Sequence, residues 1–185
     1  MRGSIHRFYE DLVHKLNIDG HMFFQAKGAV IDKAIVGKIS AEELLDHIAV
    51  ALNISPTLLK EKWREAFYES ITVDEDVLAI IKTLKEGRRV VALTNVIELD
   101  TESCRLRGDY VLFDEVLTSW ELGSAKPGHE IYRKALQRLG VDTGECLFID
   151  DAQENVDAAV AVGMRGIHFR DAAQLKTDLR SIGLL

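Results

Sequence analysis

The chain has 185 residues, 47% of them hydrophobic and 29% charged, with a formal net charge of −7. That length holds one ordinary domain, or a core with a small inserted cap, and buries a core without staples. Charges of both signs are mixed with no basic stripe, which argues against nucleic acid; no run reaches the ~18 apolar residues of a membrane span.

The opening residues, MRGSIHR, contain no apolar signal region. Cys104 and Cys146 are far apart and lack metal-ligand spacing, so they read as reduced structural thiols. The expectation is a soluble, cytoplasmic protein.

From Ser4 to Glu86 the pattern is helical. Ile5, Phe8, Leu12, Val13 and Leu16 recur at three-to-four spacing, as one face of an amphipathic helix requires. Met22 to Val36 predicts a second helix that stops at Gly37. Ser40 opens a third with Glu43 as its capping-box partner, followed by Leu44, Leu45, Ile48 and Leu52. Ser55-Pro56 is an N-cap followed by proline at the first helical position, and that helix runs to about Ile71. Thr72 to Glu86 is the fifth, with Val77, Ile80, Ile81 and Leu84 on one face and Gly87 closing it. Trp63, Phe67 and Tyr68 read as core residues of this helical half, with substrate-facing surface as the alternative.

After Gly87 strands and helices alternate. Val90–Leu93 is a short continuous apolar run, as in a strand covered on both faces. Val116–Thr118 and Cys146–Ile149 are similar, and Gly166–Phe169 is a weaker example. Helices are expected at Pro127–Leu139, Glu154–Val162 and Ala172–Ile182. Such alternation predicts an α/β fold with a doubly wound parallel sheet. The predicted division is an all-helical cap over residues 10–72, and a core made of residues 1–9 and 73–185.

Three polar groups fall just past the carboxyl ends of predicted strands, where a doubly wound fold builds its site. Thr94-Asn95 offers a hydroxyl and an amide that can hydrogen-bond an oxyanion. Lys126 stands between Gly123-Ser124-Ala125 and Pro127-Gly128 and can act as a charge clamp. Asp150-Asp151 is an adjacent carboxylate pair, costly unless a cation neutralises it; hard oxygen ligands of this kind suit Mg²⁺. Each feature alone has an ordinary explanation, as a turn residue, a solvated lysine or a helix cap. Their joint order on three apolar strands is far more specific.

In that order, Leu93-Thr94-Asn95, Lys126-Pro127 and the run from Phe148 to Val156 resemble the second, third and fourth motifs of the haloacid dehalogenase-like (HAD) hydrolases. Phe113-Asp114-Glu115-Val116 and the stretch from Asn155 to Met164 agree with that resemblance, which is closest to members with a small helical cap. In such enzymes an aspartate attacks a phosphate ester, and water then hydrolyses the aspartyl-phosphate. The resemblance implies that Thr94 and Asn95 hold the transferring group and that Lys126 balances its charge. It implies that Asp151 binds Mg²⁺, that Asp150 supports it, and that Asn155, one helical turn past Asp151, reaches the same site. The paired aspartates point to small phosphorylated metabolites as substrates, and the protein is expected to be a monomer or homodimer.

The family's first motif, an apolar strand ending in the aspartate nucleophile, has no match. Asp74-Glu75-Asp76 has the D-x-D spacing but opens a helix, where acidic residues are favoured. Asp19-Gly20 reads as a turn. By resemblance the first motif would lie just before Ser4, on a strand in the middle of the sheet. Two explanations stay open: the natural protein starts upstream of Met1, or the chain is a relic that closes its sheet or borrows a strand. The expected activity is that of a Mg²⁺-dependent phosphatase, inactive as given. The alternative is a non-catalytic binding or regulatory protein. A receiver-like phosphoacceptor is set aside, because there the acidic pair precedes the threonine and lysine.

Overall fold

The computed structural model describes residues 2–185, with side chains from Arg7 onward. The chain divides into two compact units, one of residues up to Val73 plus Val96–Asp109, the other of Asp74–Asn95 and Tyr110–Leu185.

The first unit is helical. It contains α1 (Arg2–Leu16), α2 (Gly20–Gly28), α3 (Ile31–Ile35), α4 (Ala41–Leu52), α5 (Pro56–Ser70) and, from later in the chain, α7 (Glu98–Arg107). The caps form where local chemistry dictates. Ser40 and Glu43 make the reciprocal capping box of α4, and the Ser55 hydroxyl accepts from Leu58 N at the start of α5. Leu12, Phe23, Leu44, Ile48, Leu59, Trp63 and Leu99 are fully buried together. Trp63 and Phe67 are core as expected, whereas Tyr68 is 44% exposed.

Two local expectations in this unit need correction. The predicted Met22–Val36 helix is two helices, because the chain leaves helical geometry at Val30 (φ −132°) before α3 begins. Asp19, expected as a turn residue, accepts from Met22 N and starts α2. Apart from these, the helical unit as the contacts divide it includes α7 from later in the chain.

The second unit carries α6 (Glu75–Lys85), β1 (Val91–Thr94), β2 (Glu115–Thr118), α8 (Ser119–Leu122), α9 (His129–Leu139), β3 (Leu147–Asp150), α10 (Gln153–Ala161), β4 (Arg165–His168) and α11 (Ala172–Ser181). Asp74 caps α6 by accepting from Val77 N, so the D-x-D triplet does open a helix. The strands are parallel, as predicted, but they do not form one continuous sheet. β1 pairs with β2 and β3 with β4, and no ladder joins β1 to β3 among the described residues. All four residues of β1 are only half-buried, and so are Leu147, Phe148 and Ile149 of β3. That is unlike the fully covered strands their apolar sequences predict.

Helices cover both faces of these strands. Ile131, Tyr132, Ala158 and Ala159 of α9 and α10 pack with Leu93 and Phe148. Ile80, Leu84, Leu175 and Leu179 of α6 and α11 pack with Val90, Leu147 and Ile149. Gly166 lets α10 approach β4 closely, since a Cβ there would stand 2.7 Å from Val156 Cγ1 and 2.9 Å from Val160 Cγ2. Both cysteines are free thiols. No helix among the described residues is long and apolar enough to cross a membrane.

Candidate active site

The carboxyl ends of β1 and β3 meet at one lysine. Gly123, at φ +65°, ends α8 in the left-handed conformation and turns the chain into the loop that carries Lys126. Asn95, immediately after β1, clamps that loop: Asn95 Nδ2 donates to Lys126 O (2.8 Å), and Lys126 N donates to Asn95 Oδ1 (2.9 Å). Held in this way, Lys126 Nζ donates to the Leu93 carbonyl (2.9 Å) and to Asp150 Oδ2 (2.7 Å). The lysine side chain is 11% exposed and that of Asp150 is 7% exposed, so the pair is well desolvated.

The other oxygen of Asp150 is also satisfied. Ala152 N and Asn155 Nδ2 both donate to Asp150 Oδ1 at 2.9 Å. Burial pushes the Asp150 carboxyl up; the hydrogen bonds from Lys126 and Asn155, the lysine charge and the Ala152 N–H outweigh it. The net result holds Asp150 below the ordinary aspartate value, and therefore ionised. Tyr132 braces Asn155 from beneath by donating to its carbonyl (2.8 Å), and burial holds the tyrosine well above its usual titration range.

Asn95, Lys126, Asp150 and Asn155 thus form one connected network. The Thr94 hydroxyl and the Asp151 carboxylate, also expected at the site, make no hydrogen bond among the described residues. Asp151 is exposed, one residue beyond the strand end. The role expected of Asn95 changes in kind, because both ends of its amide are committed to the Lys126 backbone. Sequence reasoning missed His168. The β3–β4 register sets it opposite Asp150, and its Nε2 lies 3.1 Å from the Asp151 carbonyl, steadying the loop. Only the strand register could have revealed that contact.

A divalent cation fits this donor set in part. Asp150 and Asp151 are hard carboxylates at a strand end, and Mg²⁺ is commonly held by one or two carboxylates with water and phosphate completing the shell. No cluster of three or more acidic, histidine or cysteine ligands exists among the described residues.

Residues 4–163 match the haloacid dehalogenase-like hydrolases. The chain belongs to that family. Among curated HAD-like relatives, phosphatase MT3486 of Mycobacterium tuberculosis is 30% identical over 85% of this chain and 76% of its own length. Sesquiterpene phosphatase astK of Aspergillus oryzae is 28% identical over 79% of this chain and 75% of its own. A flavin mononucleotide hydrolase of Arabidopsis thaliana reaches 40% identity, but over only 34% of this chain and 25% of that protein. Among solved structures, HAD family enzyme bt-2542 of Bacteroides thetaiotaomicron, in complex with magnesium and inorganic phosphate, superposes with a TM-score of 0.72. It covers 91% of this chain and 89% of its own at 21% identity, a likeness of fold.

Proposed function

We propose that this site is that of a Mg²⁺-dependent phosphatase acting on a small phosphate ester through an aspartyl-phosphate. The observation that carries the reading is the buried Lys126–Asp150–Asn155 network at the ends of β1 and β3, in a HAD-like chain whose relatives are named phosphatases.

Lys126 supplies a fixed positive charge facing the strand ends, which balances a phosphoryl group and an attacking carboxylate. The free hydroxyl of Thr94 holds a phosphoryl oxygen. Asn95 acts through the loop, fixing where Lys126 stands. Asp150 stays ionised between Lys126 and Asn155, and so keeps the ammonium aimed. The Asp151 carboxylate, with Asp150 beside it, would hold Mg²⁺, which when bound neutralises charge on the transferring group.

This reading assigns no nucleophile among the described residues. Asp74 caps α6, and Asp19 caps α2. Neither stands at a strand end. We therefore expect negligible turnover of p-nitrophenyl phosphate by the 185-residue chain, with or without Mg²⁺. Mg²⁺-dependent turnover that disappears in Asp151→Asn would overturn the missing-nucleophile part of the reading and keep the phosphatase part.

A further inference from the structure

The helical unit brings together three polar side chains that the network at Lys126 does not use. They are Tyr9 of α1, Lys27 of α2 and Asp100 of α7, and they meet around aromatic rings. Lys27 Nζ stands 3.7 Å from the centre of the Tyr9 ring and 5.4 Å from that of Phe24. The Tyr9 ring meets Trp63 of α5 edge-on, with centroids 5.8 Å apart. Trp63 Nε1 in turn donates to Asp100 Oδ1 at 2.7 Å.

Each of the three keeps an unanswered polar group. Lys27 forms no ion pair or hydrogen bond among the described residues. The two rings replace only part of the hydration it gives up, and burial lowers its titration value, with the charge of Asp32 opposing. Burial, and then the charge of Asp100, hold the Tyr9 hydroxyl well above its usual range, so it stays protonated. That hydroxyl and Asp100 Oδ2 make no hydrogen bond among the described residues. An aspartate in the first turn of a helix has an ordinary explanation, since the helix dipole favours it there. That explanation leaves its desolvation unbalanced, because burial still raises it, with only the Trp63 hydrogen bond opposing. Trp63 is fully buried, whereas Tyr9, Lys27 and Asp100 each keep part of their surface open, so a solute can reach them. Two opposite charges therefore act on one tyrosine without pairing with each other.

We propose that Lys27 and Asp100 are the two ends of a binding site for a small zwitterion with an apolar body. Its carboxylate would sit on the Lys27 ammonium and its protonated amine on Asp100 Oδ2, each contact a charge-assisted hydrogen bond. The Tyr9 hydroxyl offers the ligand a further donor. The apolar body would cover Phe24, which is 39% exposed. A lone anion would meet the charge of Asp100, and a lone cation that of Lys27, so a ligand carrying both charges is selected. The site lies wholly within the helical unit and rests on no part of the phosphatase reading.

The test titrates the full chain with three probes of one shape: L-phenylalanine, phenethylamine, which lacks the carboxylate, and 3-phenylpropanoate, which lacks the amine. Binding is followed through the Trp63 indole N–H signal at about pH 8, where Asp100 is ionised. L-Phenylalanine should shift that signal saturably, and each of the other two should bind about tenfold more weakly or worse. Lys27→Met, which keeps the apolar stem on the rings, and Asp100→Asn, which keeps an acceptor for Trp63, should each weaken L-phenylalanine by about the same factor. A Trp63 signal that does not move would overturn the proposal. So would equal binding of phenethylamine or 3-phenylpropanoate, which would make the surface a plain charged or apolar patch. Unchanged affinity in either variant would overturn it too. Signals of Asp150 to Asn155 that respond to Mg²⁺ report on the phosphatase reading separately, so either reading can fail alone.

Discussion

Replacing Lys126 by methionine keeps most of the side-chain volume but removes the only cation in contact with buried Asp150 among the described residues. Asp150 Oδ1 keeps its donors from Ala152 and Asn155, while Asp150 Oδ2 and the Leu93 carbonyl each lose theirs. Breaking a buried ion pair from one side costs about 3–5 kcal/mol, because the surviving charge stays desolvated. In a chain of this size that lowers the unfolding midpoint by about 6–20 °C. The pH dependence has a definite sign. In the native protein Asp150 titrates below its ordinary value. Its stabilisation is therefore present above the unfolded value near pH 4 and is lost as pH falls through the folded value. In Lys126→Met the burial penalty dominates, so the loss is largest at pH 7–8 and shrinks toward pH 4. Urea unfolding across that range measures it. Adding Asp150→Asn removes the stranded charge and should restore part of the stability. A loss below about 1 kcal/mol at pH 7, a loss that grows on acidification, or no rescue in the double variant would refute the reasoning.

Gly166→Ala should cost about 1–3 kcal/mol, since its methyl would stand 2.7 Å from Val156 Cγ1 and 2.9 Å from Val160 Cγ2; thermal unfolding checks it. Asp100, which accepts from Trp63 Nε1 at 2.7 Å, is raised to about 6 by burial, with that hydrogen bond opposing. Because the folded state holds this proton more tightly, the wild type loses stability as pH rises from about 4 through 6. Asp100→Asn should therefore gain about 1–3 kcal/mol at pH 8 and nearly nothing at pH 4, read from urea midpoints; no gain at pH 8 would contradict it. Ser40→Ala should lose about 1 kcal/mol by removing the hydroxyl half of the α4 capping box, which circular dichroism melts would show.

Much of the fold is legible because its signals are local. Ser40 with Glu43 and Ser55 with Pro56 each announce a helix start within four residues, and both starts are where expected, whereas the helix expected from Thr72 begins after its cap Asp74. Helix α7 is not legible, because its sequence, ELDTESCRLR, hides a buried face behind polar residues. Thr101 and Ser103 are fully buried there, with hydroxyls that donate to the carbonyls of Ile97 and Leu99 four residues back. Their types give no apolar period. Sheet continuity is not a local property at all. Val91–Leu93 and Leu147–Ile149 have the same apolar composition whether or not a strand lies beside them, so their half-exposure is visible only in three dimensions.

The candidate site follows the same rule. Lys126, Asp150 and Asn155 could be named from their order and positions at strand ends, and they do converge. The double clamp of Asn95 on the Lys126 backbone could not, because either end of an amide can serve a ligand or a loop. Nor could the contact of His168 with Asp151, which depends on which residue of β4 stands opposite the end of β3.

The most direct test of the central claim, that Asp150 and Asp151 with Lys126 form a cation and phosphate site, is a Mg²⁺ titration of the full chain. It would be followed through the backbone amide signals of residues 150–155. The account predicts saturable shifts centred on Asp151, at least tenfold weaker in Asp151→Asn, and a tighter apparent constant when inorganic phosphate is present. Signals that do not move, or that move equally in Asp151→Asn, would contradict it.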